Sequence, residues 1–304
     1  METRFPPLRL GCRIRFRDRW QGTMETLEVT EDWELINVVV RRGLLGWTAT
    51  VKLPFSAASA WSEECVAFGC SSYEAFRREV PPVAAPGRVL SRDTAVTGTP
   101  ARVAGALVGR ADRRIWQLII GTAGEERRLP VEEASFEEGG LRAATQLEKL
   151  AVYRTDAELL AMVREALSMH PHLTPDDRRS ISVEVWDGVV RLSGNARTAQ
   201  AAEAAAEAAA AVPGALRLSN EVVDDGTLEL AIARALTAAG LTRSGYVHAR
   251  SAQGDVELYG DTPTAGVAEE IERAVSRLPG VRSVTNRLDV RAAAKPAGAA
   301  PASG

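Results

Sequence analysis

The chain has 304 residues, 45% of them hydrophobic and 25% charged, with a formal net charge of -3. That apolar share supports several small globular cores and excludes a disordered chain, and the near-neutral balance excludes a bulk nucleic-acid binder. No apolar run approaches the roughly 18 residues of a membrane-spanning helix, and Cys12, Cys65 and Cys70 sit at no zinc-like spacing, which points to reduced thiols.

From the start of the chain, Met1 to Gly11 carries two prolines and two arginines and no continuous apolar core, so it does not read as a signal peptide. A cytoplasmic place is the expectation, peripheral to a membrane if lipid is the ligand. Residues 13–16, 24–29, 35–40 and 48–53 read as strands, the last closing on Pro54, and 101–109, 115–120 and 127–129 form a second series closing on Pro130. Lys52-Leu53-Pro54 is answered by Arg128-Leu129-Pro130, and Val38-Val39-Val40 is answered at a slightly larger offset by Leu118-Ile119-Ile120. A weak internal repeat follows. These glycine-punctuated strands with a basic-Leu-Pro step resemble the PRC-barrel family. The resemblance implies two small β-barrels acting as docking or adaptor modules, over 1–70 and 93–148, with the proline-bearing stretch 71–92 as a linker.

Arg13, Arg15, Arg17 and Arg19 alternate with Ile14, Phe16 and Asp18. On one strand they would share a face about 7 Å apart, where they could grip phosphates or a partner's acidic patch. As an exposed sheet face they would instead pair across strands with acids such as Glu25 and Glu28.

The second half contains one unit twice. Asp187-Gly188-Val189-Val190-Arg191-Leu192-Ser193-Gly194 returns as Gln253-Gly254-Asp255-Val256-Glu257-Leu258-Tyr259-Gly260, and Val212-Pro213-Gly214 returns at the same offset as Leu278-Pro279-Gly280. Leu159, Val163 and Leu167 are answered at a slightly larger offset by Leu228, Ile232 and Leu236, the spacing of an amphipathic helix. Each copy therefore reads as helix, hairpin, helix, strand. Gly188, Gly194, Gly214, Gly254, Gly260 and Gly280 fall at turns and read as structural. The two second helices differ: Val267, Ile271, Val275 and Leu278 make an ordinary core stripe, whereas Ala201, Ala205, Ala209 and Val212 bury far less apolar area. A thinner, more readily opened core is expected in the first copy.

The D-G-V-V-x-L-S-G run, the helix ending in V-P-G, and Asn220 answered by Asn286 resemble tandem BON domains, named for bacterial osmotic-stress and nodulation proteins. The resemblance implies α/β sandwiches over 155–223 and 224–291, without catalysis, that attach to phospholipid or envelope components. The fold class expected for the whole is multidomain α+β, two barrels followed by two sandwiches. Trp186, beside the first hairpin turn, is a candidate for a membrane interface or ligand groove, its counterpart being Ala252.

His170-Pro171-His172 lacks enough companions for a metal site, His248 being the only other histidine, and no nucleophile elbow, P-loop or dinucleotide fingerprint occurs. No enzyme activity, cofactor or metal is expected, and residues 292–304 read as a disordered tail. The leading reading is a stress-related binding protein that attaches to an anionic phospholipid surface or a protein partner. The alternative is an assembly adaptor making protein contacts, with homo-oligomers included, and without lipid affinity. Nucleic acid is disfavoured as a partner.

Overall fold

The computed structural model describes residues 5–44, 47–77, 87–122, 124–241 and 246–291. The expected tail and Pro81, Pro82 and Pro86 of the expected linker lie outside them. The chain divides into two compact units, Met1–Asp156 with Trp186–Gly188, and Ala157–Val185 with Val189–Gly304.

In the first unit, β1 (Pro7–Arg9), β2 (Arg13–Phe16), β3 (Gln21–Val29), β4 (Leu35–Leu44), β5 (Trp47–Pro54), β6 (Ala58–Trp61) and β7 (Cys65–Phe68) lead through α1 (Ser72–Arg77) to β8 (Arg88–Ser91). Then β9 (Ala95–Val96), β10 (Arg102–Val108), β11 (Ile115–Thr122), β12 (Glu125–Pro130), β13 (Ala134–Glu137) and β14 (Gly140–Ala143) repeat the order of β2 to β7. Pro54 and Pro130 each end a strand and open a short 3-10 turn, because proline lacks the N–H that would continue the ladder.

The two repeats exchange their first strands. β1 pairs with β10 through Leu8 and Ala106, while β8 pairs with β3 through Leu90 and Leu27. This overturns the expectation of two PRC-like barrels. One sheet runs β5-β4-β3-β2-β7-β6 with β8 added at β3, the other β12-β11-β10-β9-β14-β13 with β1 added at β10, and neither path closes on itself. A barrel must cover its own core. Here each repeat lends a strand to the other, and one continuous hydrophobic cluster, including Leu8, Leu27, Leu90, Leu118 and Leu129, draws on both sheets. The stretch 71–92, expected as a linker, contains α1 and β8, and Leu90 is fully buried.

The second unit holds the repeated sandwiches. In the first copy α2 (Asp156–Met169) and the short α3 (Pro175–Ser180) precede β15 (Ile181–Trp186), β16 (Val189–Ala196), α4 (Ala199–Ala210) and β17 (Arg217–Asp224). In the second, α5 (Asp225–Ala238) precedes β18 (Tyr246–Ala252), β19 (Asp255–Thr262), α6 (Ala265–Val275) and β20 (Ser283–Val290). Each copy is a three-stranded sheet, β15-β16-β17 or β18-β19-β20, whose last strand runs parallel to the middle one because the second helix crosses between them. Leu159, Val163 and Leu167 in one copy and Leu228, Ile232 and Leu236 in the other are buried, as the helical spacing requires. Thr198 and Thr264 cap the second helices, accepting from the N–H groups of Ala201 and Val267 at 3.1 and 3.3 Å.

Candidate functional site

The sharpest polar construction in the second unit is the junction between its two copies. It starts from a hairpin turn. Asp187-Gly188 and Gln253-Gly254 both place their two central residues at positive φ, 49° and 76° in the first and 54° and 84° in the second, as a two-residue hairpin demands. The carboxylate of Asp156 accepts from the N–H groups of Asp187 and Gly188, both at 3.0 Å. Asp225 does the same for the second turn, accepting from Ser251 Oγ at 2.6 Å and Gln253 N–H at 2.7 Å. The first residue of each long helix thus pins the hairpin of its own copy.

Glutamine is an unusual occupant of the left-handed region, which costs a non-glycine residue about 1–3 kcal/mol. Gln253 is held there by what its side chain does: its amide N–H donates to Asp177 Oδ1 at 3.3 Å, and its amide oxygen accepts from Ser180 Oγ at 3.2 Å. Beside it, Asn195 Nδ2 donates to the Gly280 carbonyl at 2.8 Å. Gly254 has no room for a side chain, since a Cβ there would stand 2.7 Å from Asn195 Oδ1 and 2.6 Å from the Gly280 carbonyl. The first copy therefore meets two turns of the second, the X-Gly hairpin through the Gln253 side chain and the Pro-Gly turn through its backbone carbonyl.

Asp177 is 1% exposed and Asn195 2%, so both must be satisfied by protein donors and acceptors. Burial pushes the Asp177 carboxyl up, but donors from Thr174, the Arg197 and Thr174 N–H groups and Gln253 outweigh it and hold the carboxyl below its ordinary value. Thr174 and Asp177 also form a reciprocal capping box on α3.

The homologous end of the second copy is built differently. Asn195 is replaced by Asp261, which accepts from Arg291 Nε and from the Tyr246 N–H. Ser180 is replaced by Tyr246, 65% exposed, with the His248 ring edge-on to it at 4.5 Å, and Val290, 49% exposed, ends β20 on the far side of β19.

Of the residues singled out from sequence, the six turn glycines all adopt positive φ. Arg13 and Arg15 share the exposed face of β2, opposite buried Ile14 and Phe16. The strand ends at Phe16, so Arg17 and Arg19 leave that face: Arg17 pairs with Glu74 at 3.5 Å and Arg19 sits in a turn at φ 62°. Glu25 and Glu28 pair with Arg41 and Lys52, at 2.7 and 2.6 Å, not with the arginines of β2. Trp186 is half-buried and groups, with Asp187 and Gly188, with the first compact unit. His170 and His172 lie with ring centroids 5.7 Å apart, and among the described residues no cluster of three or more His, Cys, Asp or Glu is placed to hold a metal ion.

Sequence reasoning missed Asp177, Asn195 and Gln253. Asp176-Asp177 reads as loop solvation or a helix cap, and the cap is what Asp177 forms on α3, but its contact with Gln253 joins residues far apart in the chain. The available signal was asymmetry between the copies, a glutamine where the first hairpin has aspartate, and Asn195 where the second copy has Asp261.

Residues 155–223 and 224–292 each match the BON domain family. No curated protein matches the chain. Two solved structures of CdsD, described as a structural protein of the type III secretion system of Chlamydia trachomatis, are similar at 21% identity. The first covers 45% of this chain and 64% of its own, with a TM-score of 0.38. The second, the C-terminal domain, covers 46% of this chain and 68% of its own, with a TM-score of 0.37.

The family match carries the domain and its repetition; it supplies neither phospholipid binding, nor a stress role, nor a cytoplasmic place, and those expectations are withdrawn. Among the described residues no helix is long and apolar enough to cross a membrane.

Proposed function

We propose that this chain is an assembly adaptor whose tandem BON domains make protein contacts through the sheet end opposite the hairpin turn. The carrying observation is the junction itself, where Asp177, Ser180 and Asn195 of one copy read the Gln253-Gly254 and Gly280 turns of the other. Polar side chains that meet a turn through one backbone carbonyl and one side-chain amide are protein-binding chemistry, and they make the contact depend on both the turn's geometry and its residue. The second copy offers the homologous end with exposed Tyr246 in place of Ser180 and with exposed Val290 at the end of β20, the composition of an interface centre.

Site-specific photo-crosslinking tests this. A crosslinker placed at Tyr246 in the full chain in cells should yield a discrete protein adduct, identified by mass spectrometry, that one placed at exposed Glu203 does not. Co-sedimentation with anionic vesicles, reversed by salt and abolished in Trp186→Ala, with no adduct from position 246, would overturn the adaptor reading.

A further inference from the structure

At the strand-exchange point the two N-terminal repeats meet as unequal halves. Gly11 and Arg92 lie in the loops that follow β1 and β8. The Arg92 guanidinium lies directly over Gly11, where any Cβ would collide with it, and Gly11 has φ 84°. Arg92 Nε and Nη2 both donate to the Leu10 carbonyl, at 2.9 and 2.7 Å. A backbone oxygen thus fixes the guanidinium in place without neutralising its charge.

This arginine borders a cleft of about 590 Å³, lined also by Arg13, Arg15, Glu64 and the thiols of Cys12 and Cys65. Arg9 and Glu63 complete the rim but are engaged with each other: Arg9 bonds Glu63 at 2.8 Å and Glu126 at 2.6 Å. Arg13 and Arg15 are exposed, and among the described residues neither pairs with a carboxylate. Three guanidiniums therefore face the cleft against the one remaining carboxylate of Glu64. Arg92 is shared with an adjoining cleft of about 420 Å³, where Arg102 adds a fourth guanidinium, tethered to the Asp93 carbonyl at 2.9 Å. A concave wall carrying excess fixed positive charge focuses the field on small anions, and guanidinium forks match phosphate oxygens two at a time.

The two thiols offer a competing chemistry and do not fit it. Cys12 is buried, which with Cys65 beside it pushes its thiol up to about 12, and burial also raises Cys65 although Arg15 and Arg13 pull it down. Neither is a ready thiolate at neutral pH. They form a weakly polar floor.

We infer that this cleft binds a small phosphate-bearing anion, with Arg13 and Arg15 supplying paired forks from the edge of β2 and Arg92 a preset third donor. The site is independent of the adaptor reading, since it lies wholly within the first unit. The geometry favours a diphosphate or phosphate ester over a flat polyanionic surface, because Arg92 stands inside a concavity.

Isothermal titration of the full chain with pyrophosphate tests it. Binding should weaken roughly tenfold or more in Arg13→Gln and again in Arg15→Gln, as expected for loss of a charge-assisted contact each time. Arg17→Gln, at an exposed arginine off that face, should bind like the parent, and both cleft variants lie at exposed positions, so circular dichroism should be unchanged. Cys65 lines the cleft and Cys70 does not, so pyrophosphate should slow iodoacetamide labelling of Cys65 relative to Cys70. No heat and no protection at millimolar pyrophosphate would overturn the proposal. So would protection of Cys65 by anionic vesicles but not by pyrophosphate, which would make the ligand a lipid surface.

Discussion

The two BON domains share one fold and solve its core in opposite ways. In the second, α6 buries Ile271 and Val275 completely, with Ala268 beside them, and the described cluster around them relies on a few large side chains. In the first, α4 buries Ala201, Ala202, Ala204, Ala205, Ala208 and Ala209, on more than one face of the helix. These alanines contribute little area each. They allow backbone to approach backbone, so that α4 packs on β16 and β17 and also against α5 of its neighbour. Among the described residues α4 has buried positions on more of its surface than α6, a coverage that opposes the thin core expected from composition.

Amide exchange would break this comparison outright. Ala201 to Val212 should exchange more slowly than Val267 to Leu278, and the opposite order would restore the thin-core reading. Among substitutions the largest effect is expected at Ile271→Ala, about 2–5 kcal/mol by denaturant titration, since a core resting on few large side chains is weakened by each cavity. Next comes Asn195→Ala, about 1–3 kcal/mol, because it strips the half-buried Gly280 carbonyl of its donor. Its signature is a first domain that unfolds separately from the second, which no change confined to one core would produce.

Asp177→Asn sharpens the same point through pH. The folded carboxyl titrates below its unfolded value of about 3.9, so its contribution is fully present above that value and is lost as pH falls through the folded pKa. The stability gap between the parent and Asp177→Asn should be open at neutral pH and close in acid; a gap independent of pH would show that Asp177 acts by shape alone. The smallest effect is expected at Arg191→Gln. Arg191 pairs with Glu221 at 2.5 Å and Glu184 at 3.5 Å, but all three side chains are well exposed, and solvent screening should leave the denaturation midpoint all but unchanged.

Local signals made most of the second half legible. Turn glycines, helix caps and the constant offset between the copies are properties of a few neighbouring residues, and each strand and long helix of the repeat follows from them. The first half yielded its strand positions from alternation and its two proline stops. Its pairing did not follow, because nothing near Leu8 or Leu90 states which repeat each will join.

Sequence by itself determined the repeated elements, the core faces of the long helices, the turn conformations and the absence of catalytic motifs, because these depend on spacing and on backbone preferences within one element. Only tertiary structure decided that the N-terminal strands exchange and leave both sheets open, that α3 brings Asp177 to Gln253, and that Arg92 comes to rest over Gly11. Each joins residues far apart in the chain through complementary shape and hydrogen bonding, and a strand's pattern records which face is buried but not which neighbour buries it.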